Sequence, residues 1–405
     1  MHAFIIIAVF VLTYLGMAAG RLPWLQVDRT GIALLGVIAL LATEAVTLDQ
    51  LGATIDTSTL VLLFALMIIS AQFVHSGFYD FCAEWITSRR GGPAWLLATT
   101  VGVCGGLAAL LANDILVFAM APLLVAGARS RGLDPRPFLI ALASATNIGS
   151  AATLIGNPQN ILIGQVGNLS FHTFLLACGV PALVGLIAVF AVTREGTDVA
   201  THPHDRNQTI KGAVALAALL ALFTTPLPRE TGGLAIAALL LATRKFTSRS
   251  MIAAVDWPLL LLFVCLFGIT GALADTGMPW TVISGLQEVG LLPDNLAVLT
   301  PLTLLMSNTI GNVPAVILLL QVWPNPAQGA LYGLALLSSL AGNLLLVGSL
   351  TNLIVVERAA AFGVRVTFGD YARAGVPITL ISMGFAVFWL AWTGWLPLWP
   401  GATIQ

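Results

Sequence analysis

The chain has 405 residues, of which 58% are hydrophobic and only 9% are charged, and its formal net charge is −1. Soluble domains carry about 25% charged residues, so this composition excludes an ordinary soluble protein and indicates a polytopic membrane protein. The nearly neutral charge gives no reason to expect a nucleic-acid partner.

The first apolar run, from Phe4 to Leu15, lacks a basic leader and a small-residue cleavage site. We therefore interpret it as a first membrane span and not as a removable signal peptide. The four cysteines are scattered singly, which favours small buried apolar residues over a metal site or a redox pair. No cofactor is expected.

Ten apolar runs bounded by charged residues are candidate membrane spans. In the first half they lie near 3–20, 31–47, 58–76, 136–167 and 173–193, and in the second half near 212–226, 230–243, 256–275, 327–356 and 375–397. Two further apolar stretches, 93–128 and 294–322, each contain a short polar interruption. The polar segment 194–211 is predicted to be a cytoplasmic linker between a first repeat, 1–193, and a second, 212–405.

The positions of Lys and Arg indicate how the two interrupted stretches lie in the bilayer. If both are re-entrant hairpins, every basic residue except Arg229 falls on one side, with Arg21 and Arg29 following the first span. The positive-inside rule makes that side cytoplasmic. If an interrupted stretch crossed the bilayer twice instead, each half of it would need the ~20 residues of a span, and the halves are shorter than that.

The predicted fold is therefore all-α, with ten transmembrane spans, two re-entrant hairpins and both termini outside. Each half has five spans and one hairpin, and an odd number of spans inverts the second half relative to the first. The first hairpin is predicted to enter from the cytoplasm and the second from outside. Three pairs of segments resemble each other in the same order: 59–78 and 258–278, 110–115 and 305–310, and 155–161 and 347–353.

Amides, glycines and prolines interrupt both hairpins and the long apolar runs 136–167 and 327–356, which are predicted to be broken helices. Irregular backbone at membrane depth survives only where it lines a cavity or is buried in protein, and paired broken helices point to a transporter's substrate site. The alternative is that these small and amide side chains join helices. The candidate substrate- and ion-binding residues are Asn113, Asp114, Asn147, Thr153, Gly156, Asn157, Gln159, Asn160, Ser307, Asn308, Thr309, Asn312, Asn343, Gly348, Ser349, Thr351 and Asn352.

Asp114 is the only carboxylate predicted to lie well inside an apolar stretch, where a charge costs at least ~2.5–3.5 kcal/mol and therefore indicates function. Free carbonyls and amide oxygens suit a hard cation, whereas free helix amides suit an anion. A Na⁺ site is predicted at Asn113, Asp114, Asn308 and Thr309. No basic residue occurs in the four motifs. His75 is interpreted as a helix-end residue and not as a proton carrier.

These motifs resemble those of the ion-transporter superfamily that includes arsenite permeases, NhaD-type sodium/proton antiporters, the citrate-transporter-like domain and the sodium/dicarboxylate symporters. Ser307-Asn308-Thr309 is similar to the hairpin signature of the dicarboxylate branch, and Ala112-Asn113-Asp114 to that of arsenite permeases. The run from Thr153 to Asn160 is similar to the broken-helix pattern found across the superfamily. The resemblance covers nearly the whole chain.

Two positions depart from those patterns. Asp114 stands where dicarboxylate symporters carry Thr, which places a titratable carboxylate at their first sodium site. The second broken helix reads Ala341-Gly342-Asn343-Leu344, without the acidic residue that arsenite permeases place after Gly-Asn. The superfamily is therefore indicated, while the branch is left open.

The resemblance implies a secondary active transporter of a bacterial-type inner membrane. It would move a small anion or an arsenite-like metalloid hydroxide by alternating access, coupled to H⁺ or Na⁺. A Na⁺/H⁺ antiporter, a di- or tricarboxylate symporter and, from another class, a passive anion channel stay open as alternatives. The sequence shows no paired intramembrane aspartates and no HExxH motif, so an enzyme is not expected. The expected partners are the solute, the coupling ion and the lipid bilayer; whether a homodimer forms stays open.

Overall fold

The computed structural model of the chain describes residues 2–19, 27–88, 93–130, 132–194, 206–225, 227–242, 246–278, 281, 284–285, 292–323 and 325–399. Every regular element among these residues is helical. The helices are α1 His2–Ala19, α2 Arg29–Ala42, α3 Leu48–Thr54, α4 Thr57–His75, α5 Phe78–Ser88, α6 Pro93–Ala108, α7 Asn113–Ser130, α8 Arg136–Ser150, α9 Pro158–Val166, α10 Phe171–Thr193, α11 Arg206–Leu222, α12 Arg229–Leu241, α13 Ser248–Ala253, α14 Trp257–Asp275, α15 Leu296–Thr309, α16 Asn312–Val322, α17 Gln328–Ala341, α18 Leu350–Ala361 and α19 Phe368–Trp392.

All ten predicted spans overlap helices, although some boundaries differ. Helix α19 begins at Phe368, earlier than the predicted 375, because Thr367 and Asp370 form a capping box. Helix α11 begins at Arg206, inside the predicted linker 194–211. Among the described residues, α4, α10, α14 and α19 are long and apolar enough to cross a membrane. The all-helical, polytopic character is confirmed, and the count of ten spans stays a prediction.

Side-chain caps set the starts of the two long central helices in the same way. Asp56 Oδ1 accepts a hydrogen bond of 3.1 Å from the Thr59 amide at the start of α4. Asp256 Oδ1 accepts one of 3.0 Å from the Leu259 amide at the start of α14. Each cap satisfies an amide that would otherwise have no partner in the helix. The two helices therefore start at matched caps in the two halves of the chain.

Both long apolar runs that carry amides are broken in the structure. Helix α8 ends at Ser150 and α9 begins at Pro158, so residues 151–157 form a first break. Helix α17 ends at Ala341 and α18 begins at Leu350, and the second break between them, 342–349, contains one 3₁₀ turn. Gly156 packs against the backbone of Ser150, and an added Cβ on Gly348 would lie 2.9 Å from the Gly342 carbonyl oxygen. Both breaks therefore fold back tightly on themselves.

The two predicted hairpins appear as pairs of short helices, α6 with α7 and α15 with α16. They have 16, 18, 14 and 11 residues. At 1.5 Å per residue these lengths are about 16–27 Å, less than the ~30 Å hydrocarbon core of a bilayer. Gly311, with a φ of 95°, forms the turn between α15 and α16, a conformation that favours glycine. Re-entrance from opposite sides stays a prediction.

The early helices of each half pack against the long central helix of the other half. Helix α12 lies against α4, where Gly233 meets Leu62, and α2 lies against α14, where Gly36 meets Ile269. Each half therefore covers part of the apolar surface of the other half.

Candidate functional site

Asn147, at the end of α8, joins the two breaks. Its Nδ2 donates hydrogen bonds of 2.9 Å to Asn343 Oδ1 and 2.9 Å to Asn352 Oδ1, and its Oδ1 accepts one of 3.0 Å from the Ser349 hydroxyl. Asn147 is only 2% exposed. A buried amide with all three of these bonds holds the end of α8 against both edges of the second break.

A matching contact runs in the opposite direction. Asn157, which caps α9 at the end of the first break, donates a hydrogen bond of 3.0 Å to the Ser339 hydroxyl on α17. Ser349, at the end of the second break, donates to Asn147 on α8 at the same distance. Each break thus reaches across to the first helix of the other broken pair.

One asparagine closes each break internally. Asn160 Nδ2 donates to the carbonyls of Ser150 and Thr153, ten and seven residues earlier. Asn352 Nδ2 donates to the carbonyls of Gly342 and Leu345, also ten and seven residues earlier. The carbonyls that the helix ends leave free are therefore satisfied by side-chain amides and not by continuing helix.

The tip of the first hairpin contacts the first turn of α18, just after the second break. Asn113 Nδ2 donates a hydrogen bond of 3.1 Å to the Thr351 hydroxyl, which in turn donates one of 2.7 Å to Asp114 Oδ1. Asp114 lies in the first turn of α7, where the helix dipole favours a negative charge. The other end of this tip is held by the first break, because the Thr153 hydroxyl donates to the Ala109 carbonyl.

The tip of the second hairpin contacts the second break itself, near its start. Asn308 Nδ2 donates to the Ala341 carbonyl at 2.8 Å, and its Oδ1 accepts a bond of 3.2 Å from the Leu345 amide. Ser307 donates to the Ser338 carbonyl at 3.3 Å. Thr309 is exposed, and its hydroxyl bonds to carbonyls of its own helix.

The four residues predicted for one Na⁺ therefore take part in different contacts. Asn113 and Asp114 meet at Thr351, whereas the polar atoms of Asn308 are occupied by backbone groups. The remaining candidates lie in the same region: Gln159 donates a bond of 3.3 Å to the Ser339 hydroxyl, and Asn343 donates one of 3.4 Å to the Ser144 carbonyl.

A small cavity, with room for about one water molecule, adjoins the first hairpin tip. Two carboxylates from different halves line it, Asp114 of α7 and Asp256 at the start of α14, together with Asn113 and Asn157. The other lining residues are apolar, among them Leu63, Leu66 and Met67 of α4. The cavity is therefore largely apolar, with a few polar residues from both halves of the chain among those that line it.

Three amide oxygens in this region are buried and have no hydrogen-bond partner. They are the Oδ1 atoms of Asn113, Asn160 and Asn312. Buried polar atoms are nearly always paired, so such acceptors call for donors from water, a solute or an ion. All three residues were singled out from the sequence.

Arg29 is a residue of the site that the sequence did not reveal. It precedes the predicted second span, 31–47, and in the structure it starts α2 with its side chain at the second break. Its Nη2 donates a hydrogen bond of 3.0 Å to the Val347 carbonyl, and its Nη1 lies 2.8 Å from where a Cβ on Gly311 would stand. A cation in the first turn of a helix is unfavourable beside the positive end of the helix dipole. This unfavourable position was the one signal that could have pointed to Arg29.

His75 is the last residue of α4, and its Nδ1 lies 2.9 Å from the Ala71 carbonyl oxygen. Its ring packs against Phe246 at a centroid distance of 5.3 Å. The predicted helix-end position agrees with this geometry. Within the described part of the chain, no three His, Cys, Asp or Glu residues are grouped so as to hold a metal ion.

Relatives of this chain are named as membrane proteins or transporters. The 46 kDa membrane protein of Mycobacterium leprae is 28% identical over 423 residues, covering 95% of this chain and 97% of that protein. The silicon efflux transporter LSI3 of Oryza sativa subsp. japonica is 25% identical over 451 residues, covering 90% and 93%. The putative transporter arsB of Dictyostelium discoideum is 24% identical over 183 residues, covering 45% and 32%.

The crystal structure of the YdaH transporter of Alcanivorax borkumensis shares this fold. It superposes with a TM-score of 0.57 at 14% identity, covering 99% of this chain and 100% of that one. The family model described as CitMHS, citrate transporter, matches residues 4–332, well over half of the chain. The chain therefore belongs to the CitMHS family and is a multi-pass membrane transporter.

Proposed function

We propose that this protein is a secondary active transporter that moves a small metalloid hydroxide or a small anion across a bacterial-type inner membrane by alternating access. The coupling ion, H⁺ or Na⁺, binds at Asp114. The solute binds where the two breaks and the two hairpin tips meet.

The observation that carries this proposal is the reciprocal pair of contacts between the breaks. Asn157 bonds to Ser339 and Ser349 bonds to Asn147, each at 3.0 Å, so each half completes the other's site. Two halves of opposite orientation in the membrane would meet in this way. Rocking one half against the other would then expose the shared site to each side in turn.

The unpartnered acceptors favour a solute that carries hydroxyl groups. Asn113, Asn160 and Asn312 each present a buried Oδ1 without a donor, and a hydroxide such as arsenous or silicic acid has several O–H donors. A solute without the matching donors would leave these acceptors unpaired, at a cost of about 1–3 kcal/mol each. Two relatives bear names that mention silicon efflux or arsB, which supports the same class.

Asp114 suits coupling because it lines the cavity and also contacts the first turn of α18. Thr351 donates to its Oδ1, so a change in the charge of Asp114 alters a contact that ties the first hairpin to α18. A cation or proton bound there would stabilise this arrangement, and its release would weaken it.

Arg29 favours a second candidate, a di- or tricarboxylate. Its guanidinium lies beside the second hairpin tip, and the amides at the start of α16 are nearby. A guanidinium and helix amides are suitable donors for a carboxylate. The family name, citrate transporter, supports this candidate as well.

Uptake into proteoliposomes distinguishes these solutes. Purified protein would be reconstituted and supplied with labelled arsenite, germanic acid as a probe for silicic acid, citrate, succinate or ²²Na⁺, under imposed pH or sodium gradients. We expect uptake of a hydroxide that requires one of the two gradients. Gradient-driven uptake of citrate alone would favour the second candidate, and uptake of no solute above protein-free vesicles would contradict the proposal.

A further inference from the structure

Arg29 and Arg229 occupy matching positions in the two halves of the chain. Arg29 is the first residue of α2, and Arg229 is the first residue of α12. In each half a short helix and then a long one follow at the same spacing from the arginine, α3 with α4 and α13 with α14. A threonine and an aspartate cap these helices at matching positions: Thr47 with Asp56, and Thr247 with Asp256. The two arginines are therefore counterparts.

The long helices of the two halves run in opposite directions. An added Cβ on Gly271, in the last part of α14, would meet Thr54, which lies just before α4. At the other end, His75 is the last residue of α4 and packs against Phe246, which precedes α14. Helices α4 and α14 are therefore antiparallel, as two halves of opposite orientation require.

The two arginines contact the broken helices at different places. Arg29 Nη2 donates to the Val347 carbonyl inside the second break. Arg229 donates instead near the far end of α9, to the carbonyls of Leu169 at 2.7 Å and Gly164 at 3.5 Å. At 1.5 Å per residue, roughly 9 Å of helix lies between Gly164 and the first break. One arginine therefore holds a break, while the other lies away from one.

Ile155 is the residue of the first break that matches Val347. The two residues precede Asn160 and Asn352 by the same number of positions, and those asparagines close their breaks with the same pair of bonds. An arginine placed at the first break as Arg29 is placed at the second would therefore reach the Ile155 carbonyl.

Both hairpin tips lie at the end of the molecule where α2 and α14 begin. The second tip, at Gly311, adjoins Arg29, and the first tip lines one cavity with Asp256. The two helix starts are themselves joined, because the Thr30 hydroxyl donates a bond of 3.3 Å to the Pro258 carbonyl. The structure is therefore one-sided. In the opposite-facing state each half would take the other's arrangement, and both tips would lie where α4 and α12 begin.

A guanidinium suits such an exchange of partners. It keeps its charge and has five N–H donors, so it can leave one set of carbonyls for another without releasing a proton. Arg29 and Arg229 are both partly buried. A partly buried charge needs acceptors in each state, and the ends of the broken helices provide them.

We propose that Arg229 takes the part of Arg29 when the site faces the opposite side of the membrane. In that state Arg229 donates to the Ile155 carbonyl at the first break. Arg29 leaves Val347 and bonds near the end of α18, as Arg229 now does at α9. The inference rests on the proposed alternating access and deepens it, because it names two positioning residues that hold the two breaks in turn.

Cross-linking of cysteine pairs tests this exchange in the full-length protein, reconstituted in proteoliposomes without solute and treated with a short dimaleimide. Arg29→Cys with Val347→Cys reports the present arrangement, and Arg229→Cys with Ile155→Cys reports the opposite one. Thr231→Cys with Ile155→Cys is the matched control, because Thr231 is exposed in the same turn of α12. The four native cysteines are buried, which limits their reaction.

We expect both arginine pairs to link. The Arg229 pair should link at least about tenfold faster than the control pair, because a link forms only when the reagent can span both thiols. A covalent link accumulates even from a minor state. A protein with all four cysteines should carry either link but not both. If Ile155→Cys destabilises the fold, Ala152→Cys provides a second partner in the first break.

Two results would overturn the inference. One is an Arg229 pair that links no faster than the control pair although the Arg29 pair links fully. The other is both links in one molecule, which would mean that the two contacts coexist. Either result together with gradient-driven uptake would reject the exchange of arginines and leave the proposed function standing. Mutually exclusive links, together with failure of every solute in the uptake assay, would support the exchange while contradicting the proposed function.

Discussion

The Nδ2 atom of Asn147 lies 2.9 Å from the Oδ1 atom of Asn343, although the two residues are 196 positions apart in the chain. Asn147 belongs to the end of α8 and Asn343 to the start of the second break. Through this bond the two broken helices share one buried polar centre, and the mechanism depends on that centre staying assembled.

Asn147→Ala should destabilise the protein and abolish uptake. The substitution leaves the Oδ1 atoms of Asn343 and Asn352 and the hydroxyl of Ser349 without their partner. Each buried polar group left unpaired costs about 1–3 kcal/mol. The thermal midpoint in detergent should therefore fall well below that of the wild type. Thr309→Ala is the control, because its exposed hydroxyl bonds only to its own helix, and its midpoint should change little. An unchanged midpoint in Asn147→Ala would show that Asn147 does not hold the two breaks together.

Gly348→Ala should impair uptake by displacing the second hairpin tip. An added Cβ would lie 2.5 Å from Asn308 Oδ1 and 2.9 Å from the Gly342 carbonyl oxygen. Overpacking of this kind costs about 1–3 kcal/mol, and here it would push apart the bond from Asn308 to the second break.

Gly102→Ala is the matched control for this change, because a Cβ there meets nothing within 4 Å and the residue lies inside α6. Alanine is favoured over glycine in a helix by about 1 kcal/mol, so this variant should be at least as stable as the wild type. Equal initial uptake rates in Gly348→Ala and Gly102→Ala would argue against a tight second break.

Arg29→Gln should raise the KM for an anionic solute by about tenfold, since it removes a guanidinium that recognises carboxylates and oxyanions. The KM for a neutral hydroxide should change much less.

Arg136→Gln is the control. Arg136 is exposed, and its ion pair with Asp134, 2.7 Å long, is of a kind worth about 0–1 kcal/mol. The comparison uses initial uptake rates over a range of solute concentrations. If Arg29→Gln raised the KM for the neutral hydroxide as much as the KM for the anionic solute, Arg29 would act through packing and not through its charge.

Asp114→Asn should abolish accumulation driven by a gradient while solute exchange across the membrane continues. Asparagine keeps an acceptor for the Thr351 hydroxyl but cannot change its charge with the coupling ion. The measurement compares net uptake under a gradient with exchange of labelled for unlabelled solute. Asp134→Asn, at the exposed Arg136 pair, should behave as the wild type does. Full gradient-driven accumulation in Asp114→Asn would remove Asp114 from the coupling mechanism.

The sequence predicted the breaks well because the signal is local. Gly156, Asn157 and Pro158 inside an apolar run cannot continue a plain helix, and the structure ends α8 before them and begins α9 at the proline. The amides near both interruptions likewise marked where side chains would replace the lost backbone bonds.

The pairing between those amides could not be predicted, because no local pattern determines which distant group an amide contacts. Asn308 was grouped with Asp114 on the basis of symmetry, whereas in the structure its polar atoms bond to the backbone around the second break. Arg29 and Asp256 were missed for the same reason: each stands at a predicted span end, and only the packing of α2 and α14 brings them to the site.

The most direct test of the central claim is whether reconstituted wild-type protein concentrates a hydroxide solute inside vesicles. With labelled arsenite or germanic acid at equal concentration on both sides, an imposed sodium or proton gradient should raise the internal concentration above the external one. An ionophore that dissipates the gradient should return it to equality. Rapid equilibration that never exceeds the external concentration under any gradient would mean a passive pathway and would contradict alternating access around these two breaks.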